Sequence, residues 1–189
     1  MRTDFAVILD ACVLAPPIVC DIYLRLAEEP RLYSPLWSAD ILAEVHRTQI
    51  KKFEWPESLA DYWQDQVGKA FPEAVITGYE LLIPSCTNHE KDRHVLAAAI
   101  KAPAYAIVTF NRKDFPPSAL EPHSVVTHDP ADYLITLYDM EPGVVTTKIN
   151  EIVQGKGWAM EEYLLRVAKV MPRFAHYFAR KIGLRLKTG

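Results

Sequence analysis

Residues 6–17, AVILDACVLAPP, place a single carboxylate inside an apolar run. The residues before Asp10 are rich in strand formers, which is typical of a strand buried on both faces, and Pro16 and Pro17 can open a following helix. A buried charge is costly unless it is paired, coordinated to a metal or neutralised. Two interpretations of Asp10 follow: it caps the helix that opens at Pro16–Pro17 or forms a local salt bridge, or it binds a cation.

Strand patterns alternate with helix patterns along the next 130 residues. Strands that are apolar on both faces and that alternate with helices along the chain predict parallel βαβ units. We therefore expect a three-layer α/β/α sandwich with a central, mostly parallel sheet. The segment PEAVITG (72–78) is expected to add helical turns, and Ser38, Asn88 and Asp129 are expected to cap helices. The other expected strands are LYSPLW (32–37), YELLIP (79–84), YAIVTF (105–110) and SVVTH (124–128).

The pattern changes after Met140, where Pro142–Gly143 breaks the chain and three short amphipathic helices follow. We predict a domain at 5–138 and a basic helical extension at 141–189. Residues 1–140 hold 12 Lys and Arg against 20 Asp and Glu, a net charge of −8, whereas residues 141–189 hold 9 against 4, a net charge of +5. This asymmetry indicates either a nucleic acid or acidic partner, or a tail that packs on its own acidic domain.

Composition excludes several classes of protein. Three cysteines without a CxxC pair give no disulfide framework, and no apolar run is long enough to span a bilayer. Asp4 and Asp10 argue against an export signal, so we expect a cytoplasmic protein with no membrane partner. Cys86 and His89 have a zinc-like spacing without a second pair, which favours a core cysteine and a surface histidine.

Acidic side chains fall where ligands collect in open parallel sheets, beyond the carboxyl ends of the strands. Asp10 follows the first strand directly, and Asn111 and Asp114 follow YAIVTF. Glu44 lies on a helix, and Asp92 opens a helix that is otherwise almost wholly apolar. Each acid has a local explanation, but together they border one cleft of the expected topology. Mg²⁺ or Mn²⁺ prefers such oxygen ligands and would relieve their repulsion.

Four segments in order resemble the signature segments of PIN-domain ribonucleases, in the toxin-like group similar to VapC. The resemblance spans residues 5–135, and its segments are VILDACVL (7–14), WSADILAEVHR (37–47), DRHVLAAAI (92–100) and IVTFNRKDF (107–115). It implies a parallel sheet flanked by helices and an acidic pocket that binds Mg²⁺ or Mn²⁺ and cleaves RNA. The products implied are a 5′-phosphate and a 3′-hydroxyl.

Position by position, the resemblance implies that Asp10, Glu44, Asp92 and Asp114 are catalytic and bind the metal. Asn111, which stands where many relatives place an acid, completes the ligand set. In the same way it implies phosphate contacts from basic side chains beside these acids, namely Arg47, Arg93, Arg112 and Lys113. It further implies a toxin–antitoxin pair with a small antitoxin protein as partner, and a homodimer is compatible with it.

Two departures from the family pattern bear on activity. The stretch PSCTNHEK (84–91) has only Glu90 where relatives often carry several acids, and Asn111 adds no charge. Both changes weaken metal affinity. A non-catalytic RNA- or protein-binding module therefore remains an alternative to the ribonuclease, and a metal-dependent phosphatase is a further one.

Overall fold

The computed structural model describes residues 5–186 and contains a five-stranded parallel sheet. The strand bounds are β1 Ala6–Leu9, β2 Ser34–Ser38, β3 Val75–Ile76, β4 Ala106–Val108 and β5 Val126–His128. The strands lie in the order β3-β2-β1-β4-β5. The expectation of an α/β fold with a parallel sheet and additional C-terminal helices is confirmed.

Ten α-helices and four short 3₁₀ helices connect and follow the strands within residues 5–186. None of these helices is both long enough and apolar enough to cross a membrane. The α-helices are α1 Ala11–Leu14, α2 Pro17–Ala27, α3 Ala39–Phe53, α4 Glu57–Ala70, α5 Arg93–Lys101, α6 Pro117–Leu120, α7 Pro130–Met140, α8 Pro142–Lys156, α9 Met160–Ala168 and α10 Pro172–Lys181. The 3₁₀ helices are Glu80–Ser85, Glu90–Asp92, Arg112–Asp114 and Glu121–His123.

Strand β1 is the middle strand of the sheet, and its last residue pairs with the last residue of β4. It pairs in parallel with β2 and with β4, and Leu9 lies opposite Val108. The N–H of Asp10 continues this ladder by donating to the carbonyl of Val108 at 3.2 Å. Because both strands end at the same level, the residues that follow β1 and those that follow β4 meet at one edge of the sheet.

The described chain divides into two compact units. The first unit contains residues 5–16 and 33–128, with all five strands, and the second contains residues 17–32 and 129–186. Helices α2 and α7 thus belong to the same unit as the C-terminal helices. The functional boundary between 5–138 and 141–189 stays a prediction.

The basic C-terminal helices make several ion pairs inside the second unit. Arg173 on α10 pairs with Asp132 on α7 at 2.6 Å. Lys181, also on α10, lies 4.0 Å from Asp139, which is on α7. On α9, Arg166 pairs with Glu162 at 2.8 Å. For Arg173 and Lys181, these contacts support the interpretation that the tail packs on acidic groups of its own chain.

Three local expectations were wrong. YELLIP forms a 3₁₀ helix rather than a strand, with Leu81 92% exposed, and the short β3 lies instead in the segment 72–78. There the carbonyl of Ala74 accepts from Trp37, so PEAVITG adds the outer strand of the sheet rather than helical turns. Asn88 is buried but caps no helix, since α5 begins five residues later, at Arg93.

Two other caps are as predicted. Ser38 accepts a hydrogen bond from the N–H of Ile41 at the start of α3, at 3.2 Å. Asp129 accepts from the first N–H groups of α7, where Pro130 occupies the first turn. In both helices the cap satisfies an N–H group that has no partner inside the helix, which sets where the helix begins.

Candidate active site

Asp10 lies at the carboxyl end of β1 with only 3% of its surface exposed. Its Oδ1 accepts from the N–H of Ala11 at 2.6 Å and caps α1. Its Oδ2 accepts from the hydroxyl of Thr109 at 2.6 Å and from the thiol of Cys12 at 3.2 Å. Asp10 is therefore a helix cap, but of α1 rather than of the helix that opens at Pro16–Pro17, which is α2. A carboxylate offers about four acceptor positions, so these three donors leave room for a cation.

Thr109 and Cys12 join the end of β4 to the end of β1. Thr109 is fully buried, and its hydroxyl also accepts from the N–H of Asn111 at 3.0 Å. The sulfur of Cys12 accepts from the N–H of Phe110 at 3.3 Å. Burial, followed by the charge of Asp10, raises the pKa of the Cys12 thiol, so the thiol stays protonated. A protonated thiol positions its neighbours but is a poor nucleophile.

Glu44 reaches the same edge from the second turn of α3. Its Oε1 lies 3.6 Å from Nε2 of His94 and 3.9 Å from Nη2 of Arg47. Burial raises the pKa of Glu44, and the charges of Asp10 and Asp92 add to the shift, while His94 and Arg47 oppose it. The net rise means that the folded protein disfavours a negative charge at this position unless another cation is bound.

Asp92 and Asp114 come from two separate 3₁₀ helices and meet beside His89. One ligand atom from each of these three residues lies within 4.8 Å of the others. Burial raises the pKa of Asp92, and the charges of Asp10 and then Asp114 raise it further. The negative charges of both Asp10 and Asp114 thus disfavour ionisation of Asp92.

The structure brings the four predicted acids into one electrostatic cluster within the first unit. Asp10 and Asp92 act on Glu44, and Asp10 and Asp114 act on Asp92, in each case by unfavourable charge repulsion. A divalent cation would turn this repulsion into attraction, and carboxylate oxygens are ligands that Mg²⁺ and Mn²⁺ accept. Among the described residues, the ligand atoms that lie within 4.8 Å of one another are those of His89, Asp92 and Asp114, and Asp10 and Glu44 interact with this group through their charges.

Asn111 and the predicted basic contacts surround the cluster less closely. Asn111 is exposed at the exit of β4, and its carbonyl accepts from the N–H of Asp114 at 2.9 Å. Arg112 and Lys113 are exposed in the same turn. The guanidinium of Arg93 donates through Nε to the carbonyl of Asn88 at 3.3 Å. Arg47, the last of the predicted basic contacts, is exposed and lies beside Glu44.

Sequence reasoning missed Thr109, His94 and His89 as parts of the site. Thr109 carried a signal, because it is a polar residue at the end of an apolar strand pattern. His94 follows Asp92 by two residues on α5, and its buried Nε2 has no hydrogen-bond partner within residues 5–186. His89 was expected to be an ordinary surface histidine. It is indeed half exposed, but it also faces Asp92 and Asp114.

Comparison with known proteins supports the resemblance over part of the chain. The chain is 39% identical over 94 residues to the Mycobacterium tuberculosis protein named "Putative ribonuclease VapC50". The aligned region covers 48% of this chain and 54% of that protein, so the chain spans about half the length of the curated relative it matches. No family model matches the chain. No solved structure matches it either.

Proposed function

We propose that this chain is a metal-dependent ribonuclease of the PIN toxin-like group, cleaves RNA phosphodiesters and acts as the toxin of a bacterial toxin–antitoxin pair. The observation that carries the proposal is the cluster of Asp10, Glu44, Asp92 and Asp114 at the carboxyl edge of a parallel sheet. The similarity to a protein named as a ribonuclease supports the choice of RNA as substrate. A small antitoxin as partner is proposed on the same ground.

The carboxylates of Asp10, Asp92 and Asp114 would hold Mg²⁺ or Mn²⁺, with the amide oxygen of Asn111 as a further ligand. When bound, such an ion lowers the pKa of a coordinated water and stabilises the negative charge that develops on a scissile phosphate. Glu44 either contributes a ligand oxygen or orients the attacking water. No protein nucleophile is required.

Basic side chains beside the acids would bind the phosphates of the RNA backbone. Arg47, Arg112 and Lys113 are exposed, and a phosphate can approach them from solvent. Arg93 is half buried, and its Nε already donates to the carbonyl of Asn88. We therefore propose that its guanidinium is held in place and would fix the position of the phosphate that it binds. Such contacts give affinity without sequence preference, and they weaken as the salt concentration rises.

The test is cleavage of mixed RNA by untagged protein in Mn²⁺ and in EDTA, with a chromogenic phosphate monoester as a second substrate. We expect RNA cleavage that EDTA abolishes, and no hydrolysis of the monoester. Hydrolysis of the monoester alone would support a phosphatase instead. RNA binding without cleavage in any divalent ion would support the non-catalytic module.

Asp92→Asn is the most informative variant, because it removes one charge from a group that two other carboxylates repel. Its cleavage rate should fall at least a hundredfold while its melting temperature in EDTA stays the same or rises. Asn111→Ala should reduce the rate less, because an amide adds no charge. Asp65→Asn, at an exposed acid on α4, is the matched control and should leave the rate unchanged. Equal rates for Asp92→Asn and Asp65→Asn would contradict the assigned site.

A further inference from the structure

We propose that His94 is a positioning residue that holds one carboxylate oxygen of Glu44, so that the other oxygen is aimed at the attacking water. This role rests on the proposed function, in which Glu44 either binds the ion or orients that water, and it selects the second task for Glu44. His94 would touch neither the RNA nor the ion, and it would act only through Glu44.

The ring of His94 lies against Glu44 with an unused hydrogen-bonding atom. Its side chain is 11% exposed, and its Nε2 is buried without a hydrogen-bond partner in the described residues 5–186. This nitrogen lies 3.6 Å from Oε1 of Glu44. A hydrogen bond from N–H to oxygen spans about 2.7–3.2 Å, so an approach of about 0.5 Å would form one. Because buried polar atoms in native proteins are nearly always paired, the position of His94 indicates Glu44 as its partner.

The hydrogen bond requires a hydrogen on Nε2 but no charge on the ring. A carboxylate only accepts hydrogen bonds, so Nε2 must donate. Both the imidazolium and one neutral tautomer of histidine carry the necessary hydrogen. The contact can therefore form whether or not Nδ1 is protonated as well.

Helix α5 gives His94 a fixed position, whereas Glu44 needs to be held. His94 lies in the first turn of α5, whose next five residues, Val95–Ala99, are buried, and this helix packs on β1, β2 and β4. Glu44 has three rotatable side-chain bonds and is about one-third exposed, so it would otherwise sample several rotamers. Arg47 also lies 3.9 Å from Oε1, but its side chain is 58% exposed, and an exposed ion pair holds a carboxylate weakly.

One held oxygen leaves one for chemistry. With Oε1 on His94, Oε2 remains to accept a hydrogen bond from the attacking water, and a carboxylate fixed in advance orients a reactant at a lower entropic cost. Loss of His94 should therefore lower the rate at saturating RNA and leave the affinities for RNA and for the ion almost unchanged. A general structural defect would lower all three.

The test compares single-turnover cleavage of one labelled RNA by His94→Ala, His94→Gln and the matched control His46→Ala. His46 also pairs with a carboxylate, since its Nε2 lies 2.8 Å from Oδ1 of Asp61, but that pair joins α3 to α4 and Asp61 is exposed. His94→Ala should lower the saturating rate at least tenfold and change KM less than threefold. His94→Gln restores a donor near Nε2 and should recover to within threefold of wild type, and His46→Ala should match wild type.

Three further measurements separate positioning from a loss of folding or of ion binding. Isothermal titration calorimetry should give a Mn²⁺ affinity for His94→Ala within threefold of wild type. In metal-free protein, ¹⁵N NMR should show a hydrogen on Nε2 of His94, and Glu44→Gln should shift that resonance. In a Glu44→Gln background, His94→Ala should change the remaining rate less than twofold, because its effect passes through Glu44.

Equal rates for His94→Ala and His46→Ala would overturn the proposal, as would a tenfold loss that persists in the Glu44→Gln background or a Mn²⁺ affinity that falls in step with the rate. Thermal melts in EDTA show whether each variant is folded. If both His94 variants are unstable, the NMR comparison of wild type with Glu44→Gln still decides, because an unchanged Nε2 resonance would exclude the contact. Failure here with EDTA-sensitive cleavage by the wild type would leave the ribonuclease proposal standing, and absence of cleavage by the wild type would remove both.

Discussion

Replacing Thr109 with valine tests whether the edge of the sheet holds Asp10 in the way the structure shows. Valine keeps nearly the same volume but removes the hydroxyl, which is fully buried and bonds to both Asp10 and the N–H of Asn111. The carboxylate loses one of three donors, and the N–H loses its acceptor. Because Asp10 is only 3% exposed, water cannot easily replace the donor that its carboxylate loses.

The magnitude follows from these two bonds. A hydrogen bond to a charged group contributes about 1.5–3 kcal/mol and a neutral one about 1 kcal/mol, so Thr109→Val should lower the free energy of unfolding by about 2.5–4 kcal/mol. At a urea m-value of about 2 kcal/mol per molar, the midpoint should fall by about 1–2 M. In an Asp10→Asn background the penalty should shrink to about 2 kcal/mol, because both of the lost hydrogen bonds are then neutral.

The assay is urea unfolding at neutral pH in EDTA, followed by circular dichroism. Thr127→Val is the matched control, because Thr127 lies on the adjacent strand β5 and is only partly buried. Its midpoint should move little, since a substitution away from a buried polar contact stays within about 0.5 kcal/mol. If Thr109→Val unfolded at the same urea concentration as Thr127→Val, Asp10 would not depend on this hydroxyl.

Three further predictions concern charge. Burial raises the pKa of Glu44 and Asp92 above their ordinary values of 4.5 and 3.8, so the folded protein binds protons that the unfolded chain has released. The free energy of unfolding therefore falls as pH rises above those ordinary values. In EDTA, Asp92→Asn should therefore gain stability over wild type between about pH 4 and about pH 7, and a constant difference would contradict the shift. Mn²⁺ at a hundredfold excess over Kd should add about 2.7 kcal/mol in thermal melts, and Asp10→Asn should shrink that gain; identical melts with Mn²⁺ and EDTA would count against any metal site. Reversing Arg173 and Lys181 to glutamate should lower the melting temperature, because it breaks their exposed ion pairs with Asp132 and Asp139 and places like charges together, and RNA affinity per folded molecule should stay unchanged. Weaker RNA binding at an unchanged melting temperature would instead show that the tail steers RNA.

Local sequence signals determined most of the secondary structure of this chain. The apolar run before Asp10, the cap at Ser38 and the Asp129–Pro130 pair each act within a few residues, so their outcome can be predicted without the fold. The position of Asp10 directly after a buried strand also placed it at the carboxyl edge. A strand or cap of this kind depends on propensity and neighbouring hydrogen bonds alone.

Tertiary structure decided which side chains complete the site. Thr109 lies 99 residues from Asp10 along the chain, and only the pairing of β1 with β4 brings the two together. A hydrogen bond from the N–H of His89 to the carbonyl of Asp114 brings these two residues together, and no local pattern encodes that contact. The outer edge of β2 likewise pairs with β3 (Val75–Ile76) and not with YELLIP, which forms a 3₁₀ helix. Strand pairing depends on which segment reaches that edge in the folded chain. Contacts between distant residues follow from strand order and register, and these are set by the packing of the whole unit rather than by any one stretch of sequence.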